Sequence, residues 1–531
     1  MQTSPSSVVT PATPTELFSF AFDSSTGAGD VSTISATHNT AAFHAEADEP
    51  LGQGQLPTLL GPHVPNMLGS VNMGLGEFLD EWSHPVLAVP EATRPDYPHL
   101  LLETSKQLTK IRRVHLRGDR CDFQGINWSA MGVTRQLARA RRARTFQNYT
   151  SWPGSDDDPQ GADVRPRPGP TLLGDENPFS HSTSGLASGN YFRFREMHIR
   201  EEIALAHFQL RSSLASPFRS QIHYVSRLGI SKVDPVTGNH GESLQWTEFP
   251  VFGRAFTTLG ANQDVLVAGS FTGEYVISSL HSTDIQNFTQ GTITEAASGI
   301  TNHLQVHKQR STSNPVASIC SNDNGFRVLD LETQQFVSEF GYGFALNCSA
   351  VSPDCRLRVM VGDSKDVTIA NAETGDTEVT LTGHDDFGFA CDWSDDGRYL
   401  ATGFQDKTIK IWDPRRWKDA NGTSTPLQHF RTDLAGARGL KFSPLGSGES
   451  VLAAAEEADH VHVYSTHAFG RETYDADTRQ TFSVFGELGG IDFAEGGQEL
   501  NVLVADEERG GILQLERCGT RRDATDAIPL F

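Results

Sequence analysis

Two histidines spaced two apart, His460 and His462, are the best candidate metal pair in the chain. On a strand, positions i and i+2 share a face, so both imidazoles could reach one ion. Two ligands do not make a site, and hydrogen-bonded histidines inside a sheet are the plainer expectation. Residues 392–397 (DWSDDG) look like a calcium loop only superficially. They lack alternating acids and a closing glutamate, and their place between strands makes them a turn. There is no GxSxG elbow, no Gly-Lys-Ser/Thr phosphate loop and no HExxH helix. No catalytic residue, cofactor or metal is assigned, and the chain is read as a non-enzyme. Residues 134–146 (TRQLARARRARTF) set Arg135, Arg139, Arg141, Arg142 and Arg144 among good helix formers. This basic helix could be a nuclear-import patch, an RNA-touching arm, or a helix lying on an acidic body. Few aromatics stand by for base stacking, which argues against nucleic acid.

The elements that must position such residues are short strands. Residues 381–413 read LTGHDDFGFACDWSDDGRYLATGFQDKTIKIWD. Phe389, Cys391 and Trp393 alternate as one strand, Asp395-Asp396-Gly397 makes a tight turn, Tyr399 to Gly403 forms a second strand, and Thr408 to Trp412 a third. Fainter copies end their third strand at Ser279, Asp330, Asn371 and Ser465, with Leu329, Ala370 and Tyr464 where Trp412 stands in the best copy. The ends recur roughly every 40 to 50 residues, the period of a four-stranded propeller blade. The fold expected is all-β, a seven-bladed propeller. A single blade cannot bury both faces, so blades stack and close a ring. A segment near residues 191–203 is the candidate for the strand that closes it.

The 381–413 unit closely resembles a WD40 repeat, with Gly383-His384 opening it and Trp412-Asp413 closing it. The resemblance implies a hydrogen-bonded tetrad of His384, Thr402, Asp406 and Trp412, with the aspartate accepting from the imidazole. His384 is then structural and not a base. The wider pattern, carried by residues 122–128 (DFQGINW), 207–211 (HFQLR), 267–274 (VAGSFTGE), 351–354 (VSPD) and 452–464 (LAAAEEADHVHVY), resembles a largely uncharacterised family of fungal and plant WD-repeat proteins. That implies a fold and an interaction role but no chemistry. Trp412-Asp413-x-Arg415 also resembles the motif by which WD40 substrate receptors of cullin-4 ubiquitin ligases meet their adaptor, although Pro414 departs from it. By the repeat's geometry, Tyr342, Phe344, Asp385, Phe387, Phe404, Lys407 and Arg438 fall on the opposite rim. Aromatics among charges there suit protein partners.

The 531 residues carry a formal charge of −23, too acidic for wholesale nucleic-acid or membrane-surface binding. No stretch approaches the roughly 18 apolar residues of a spanning helix, and no secretory leader is read at Met1. Six cysteines without a CxxC pair fit a reduced compartment and make structural zinc unexpected. The expected location is cytoplasm or nucleus. Residues 1–105 read as a disordered acidic arm, within which 67–82 keep enough apolar side chains for a short docking or export-type segment, a solvated loop being the commoner outcome. Residues 106–150 form the basic, partly helical segment, 151–190 a flexible insertion, 191–518 the propeller, and 519–531 a tail. The resulting expectation is a scaffold binding other proteins as a monomeric propeller within a complex. The alternatives are a ligase substrate receptor docking through Asp413 and Arg415, and an RNA-associated factor using the basic arginines.

Overall fold

The computed structural model describes residues 72, 74–83, 109–116, 122–128, 133–146, 191–245 except 204, 208 and 228, 255–310, 314–471 and 479–518. Most of the arm, the 151–190 insertion and the tail lie outside the described residues. Five four-stranded antiparallel sheets follow in chain order. The first holds β3 to β6 (Leu214–Phe218, Gln221–Ser226, Gly229–Val233, His240–Gln245), and the second β7 to β10 (Phe256–Ala261, Val265–Ser270, Glu274–Ser279, Phe288–Thr292). The third holds β11 to β14 (Thr301–Lys308, Pro315–Ser321, Gly325–Asp330, Gln335–Gly341), and the fourth β15 to β18 (Leu346–Val351, Leu357–Gly362, Val367–Asn371, Thr377–Leu381). The fifth holds β19 to β22 (Gly388–Trp393, Leu400–Phe404, Thr408–Trp412, Gln428–Arg431). A sixth, eight-stranded sheet joins β23 to β28 (Ala437–Phe442, Val451–Glu456, Ala458–Ser465, Arg479–Phe493, Glu499–Ala505, Gly511–Arg517) to β2 (Phe192–Ile199) and β1 (Lys110–Arg112).

Burial explains why these strands read as they do. The second strands are buried along nearly their whole length, β24 (VLAAAE) completely, because both faces of each sheet meet a neighbouring sheet. The outermost β14 is largely exposed, with Phe336 and Val337 at the surface. First strands pack on first strands in the cyclic order β3, β7, β11, β15, β19, β23, β26 and back to β3. Strand β26 makes the double sheet: residues 479–483 are the outer partner of β25, and residues 487–493 pair with β27. The ring is fastened by β2, an upstream segment, pairing antiparallel with β28. It falls within the candidate closing segment. β28 thereby has a partner strand on each side.

The recurring polar residue at each third-strand end has a local cause. Ser279, Asp330, Asn371, Asp413 and Ser465 each accept the backbone N–H two residues on, at 3.3, 3.0, 3.0, 3.0 and 3.3 Å. Such Asx and Ser turns stop the strand and start the reversal. The residue before four of them is a core position, where Leu329, Ala370, Trp412 and Tyr464 are all within 1 % of full burial.

Three N-terminal pieces pack on the double sheet. Helix α1 (Leu75–Ser83) buries Leu75, Phe78 and Leu79, one face at i, i+3 and i+4, against Trp128 and Phe485. Its first N–H, on Leu75, donates to Asp506 Oδ2 at 2.8 Å, so the cap comes from another part of the chain. Helix α2 (Arg135–Thr145) is capped locally by Thr134, whose Oγ1 accepts from the Leu137 N–H at 3.1 Å. The segment expected to be a separate basic unit is thus built onto the propeller, with β1 as a further strand outside β2. Residues 75–83, within the arm expected to be disordered, are helical and pack on this sheet. No helix among the described residues is long and apolar enough to cross a membrane.

Candidate interaction rim and the polar network beneath it

The fifth sheet carries a continuous polar chain. The Trp412 indole N–H donates to Thr402 Oγ1 at 3.0 Å, Thr402 lies 3.0 Å from His384 Nε2, and His384 Nδ1 lies 3.0 Å from Asp406 Oδ2. With the imidazole neutral, Thr402 donates to Nε2 and Nδ1–H donates to the carboxylate, so every member is satisfied. Thr408 adds a donor to Asp406 Oδ1 at 2.7 Å, and the Asp385 N–H donates to Asp406 Oδ2 at 3.0 Å. The His384 ring stacks on Phe404, centroids 3.6 Å apart. Burial lowers the imidazole's pKa. Burial works to raise the Asp406 pKa, but the hydrogen bonds from His384 and Thr408 outweigh it and bring the carboxyl to about 2. The turns at the two ends of β20 each use a left-handed residue: Gly397 takes a φ of 69° in the Asp395-Asp396-Gly397 turn, and Lys407 takes 63° immediately after Asp406.

In the adjoining unit of the double sheet a different knot does this work. Glu456 accepts backbone N–H groups from Asp433, Leu434 and Ala435 at 2.7, 2.8 and 2.6 Å and meets His462 Nε2 at 2.7 Å. His462 Nδ1 turns to Thr481 Oγ1 at 2.9 Å, and His460 Nδ1 to Ser483 Oγ at 3.1 Å. Asp433, Glu456 and His462 bring ligand atoms within 4.8 Å of one another, but Asp433 also pairs with Arg479 at 3.2 Å. Each group has a protein partner, and the two-apart histidines hydrogen-bond within the sheet. The fixed loop geometry needs an acceptor beside the N–H groups of residues 433–435, and a glutamate at the end of β24 supplies it.

The expected rim residues separate on inspection. Residues 382–387, 405–407 and 432–436 gather at the end of the fifth sheet and its neighbour where β19, β21 and β23 begin. There Asp385 is exposed and Phe387 and Lys407 are half-buried. Asp363 and Asp433, on the sheets to either side, are exposed as well. Phe404 is a correction: it is fully buried, because its ring is the platform for His384. Arg438 is another: its side chain is completely buried, bonded to Glu457 at 2.7 Å and Gln405 at 3.0 Å, with its guanidinium 3.7 Å above the Phe389 ring. Tyr342 and Phe344 pack on an apolar cluster that includes Phe326 and Met360, and the Tyr342 hydroxyl donates to the Gly375 carbonyl at 2.9 Å. At the opposite end of the sheet, Asp413 Oδ1 and Oδ2 hold Arg415 Nε and Nη2 at 2.8 and 2.7 Å, and the arginine side chain is 74 % exposed.

The basic patch is a further correction. Arg142 is buried and meets Asp459 Oδ2 at 2.8 Å, with Arg139 at 3.8 Å from the same carboxylate. The Arg139 guanidinium lies 3.9 Å over the Phe485 ring, and Arg135 donates to the Ser483 carbonyl at 3.2 Å. Arg141 is half-buried and Arg144 exposed, so the five do not make one open surface. The cause is the buried Asp459, whose charge these guanidiniums meet.

Residues missed by the sequence reading lie in the 122–128 loop. Asp122 accepts the Trp128 indole N–H at 2.9 Å and the Gln124 N–H at 3.0 Å. The Gln124 amide donates to the Phe485 and Arg509 carbonyls at 2.7 and 2.9 Å and accepts from the Phe485 N–H at 2.6 Å. A polar plug this complete is a structural clasp. An aspartate, a glutamine and a tryptophan within seven positions were its only sequence trace.

Comparison with known proteins agrees with this geometry. The family model for the WD domain, G-beta repeat, matches residues 375–413. Periodic tryptophan protein 2 of Arabidopsis thaliana is 28 % identical over 108 residues, 20 % of this chain and 12 % of that protein. An uncharacterized protein, C4G3.03, of Schizosaccharomyces pombe is 28 % identical over 152 residues, 28 % of this chain and 43 % of that one. The chain therefore spans less than half the length of either relative. A chain in a crystal structure of the mitotic checkpoint complex superposes with a TM-score of 0.48 at 15 % identity, over 64 % of this chain and 97 % of that one. Residues 375–413 thus match a WD40 repeat with its tetrad satisfied, and the four-stranded sheets stacked around it in a closed ring make a β-propeller fold.

Proposed function

We propose that the chain is a non-catalytic interaction scaffold that receives a basic segment of a partner protein on the rim where β15, β19 and β23 begin. One observation carries this: the exposed residues Asp363, Asp385 and Asp433 stand on three successive units there, Asp433 paired with Arg479 and Asp363 accepting from the Asn347 amide, with half-buried Phe387 and Lys407 on the middle one. Carboxylates around an aromatic give a partner's lysines and arginines both charge and apolar contact. The rigid network below holds the Asp385 backbone in place, so little order has to be bought on binding. The test compares affinity-purified wild-type protein with an Asp385→Lys/Phe387→Ala variant by mass spectrometry. Loss of partners from a variant that melts normally is expected. An unchanged partner set would sink this rim as the binding face.

A second reading is a substrate receptor of a cullin-4 type ligase, and what favours it is Arg415. Its guanidinium is held rigid by two bonds to Asp413 yet presented outward. Arg415→Ala would then shed the ligase adaptor and cullin alone. If wild-type preparations contain no ligase component, this reading goes.

A further inference from the structure

Among the described residues the sulfurs of Cys348 and Cys391 stand 3.7 Å apart, on the neighbouring first strands β15 and β19. Cys348 Sγ also lies 3.9 Å from the Cys391 carbonyl. The strands are laced on both sides of the pair: the Asn347 amide donates to the Gly388 carbonyl at 3.1 Å, and the Trp393 indole to the Ala350 carbonyl at 3.2 Å. These ties hold the two sulfurs opposite each other in van der Waals contact. Each cysteine is 5 % exposed, enough for a small oxidant and too little for a protein thiol.

We propose that Cys348 and Cys391 are a redox-active thiol pair that peroxide converts into a disulfide joining the first strands of the fourth and fifth sheets. A disulfide needs its sulfurs about 2.05 Å apart, so each must move by roughly 0.8 Å, which modest χ1 rotations supply. The direction of attack follows from the surroundings. The hydrogen bond from the Cys391 thiol, and then the nearby His303 imidazole, hold the Cys348 thiol well below the usual thiol range. Burial pushes Cys391 up. Cys348 thiolate attacks one oxygen of hydrogen peroxide, the O–O bond breaks, and the departing hydroxide takes a proton to leave as water. The Cys348 sulfenic acid that remains is attacked by Cys391. The S–S bond forms, the S–O bond breaks, and the hydroxyl leaves as a second water with the Cys391 proton. Two thiols are oxidised by two electrons and one peroxide is reduced to two waters. The bridge closes a loop containing the rest of β15 and all of β16 to β18, and pins that sheet to the repeat that carries the tetrad.

The test treats the reduced full-length protein with hydrogen peroxide, alkylates residual thiols after denaturation, and maps peptides without reduction. A disulfide-linked pair containing Cys348 and Cys391, reversed by dithiothreitol and accompanied by a raised melting temperature, is expected. In Cys391→Ala, dimedone should trap the sulfenic acid on Cys348, which the wild type resolves too fast to trap. Recovery of both cysteines as alkylated thiols while the more exposed Cys355 and Cys518 are oxidised would overturn the proposal. So would over-oxidation of Cys348 beside an intact Cys391, or a bridge from either to Cys320.

Discussion

Trp412 shows how much one side chain can carry. Its ring is fully buried and its indole N–H is the first donor in the chain running through Thr402 and His384 to Asp406. Trp412→Ala removes a large ring and leaves the Thr402 hydroxyl short of a donor, so a loss of about 3 to 5 kcal/mol is expected in chemical denaturation. A near-wild-type midpoint would show that the network adds nothing to stability. The same residues set a pH dependence. Burial lowers the pKa of His384, and it brings those of His207 and His223 to about 3 and that of His307 to about 4. Unfolded histidine takes up a proton near 6.5 whereas these do not, so their contribution is whole above about 6.5 and is lost as pH falls from there toward 4. Asp406, held at about 2, adds a term present above the ordinary aspartate range and lost as pH drops through about 2. These histidines therefore pull the melting temperature down from pH 7 to 5, against Glu487 and Asp392, which burial raises to about 8 and about 6 and which pull the other way. A melting temperature that rises across that range would contradict neutral buried imidazoles. His384, Thr402, Asp406 and Trp412 were legible in advance because their spacing resembles a well-marked repeat. Glu456 was not, because a lone glutamate at a strand end has no such mark.

Helix α2 is decided by a partner 317 residues away. Its alanines and arginines suit a helix, and Thr134 starts it, so its existence followed from local propensity. Its face did not. Asp459, buried at a left-handed φ of 65°, accepts from Arg142 and from the Gly486 N–H at 3.0 Å. Burial works against the charge, and the Arg142 and Arg139 guanidiniums hold its pKa below the usual range. Asp459→Asn keeps a residue that tolerates this backbone and removes only the charge. Two buried guanidiniums lose their counter-ion, so a loss of about 3 to 5 kcal/mol is expected. Faster amide exchange across residues 135–145 would accompany it, and unchanged exchange there would mean that apolar contacts, not Asp459, hold the helix.

At the scale of the whole molecule, the closing strand is the sensitive joint. β2 covers the edge of β28, burying Phe192, Phe194 and Met197 in the cluster that also holds Val502 and Leu513. A chain beginning at residue 201 would keep the five complete sheets but leave one edge of β28 unpaired and that cluster open to water. It should aggregate or unfold in size-exclusion and circular-dichroism measurements. A monodisperse folded product would show that the ring does not need its upstream strand. By itself the sequence determined what repeats locally: strand alternation, the Asp395-Asp396-Gly397 turn, the polar stop after each third strand, and the one repeat complete enough to identify the fold. These are contacts between residues close along the chain, so their types and spacing carry them. Only the tertiary structure decided which charges meet water. Phe404 and Arg438 were expected on an exposed rim, yet they lie in β20 and β23 and are buried against His384, Phe389 and Glu457, and the arginines of α2 turn inward to Asp459. A buried charge is settled by its counter-ion, and here Asp459 lies hundreds of residues from α2, at a distance only closure of the ring removes.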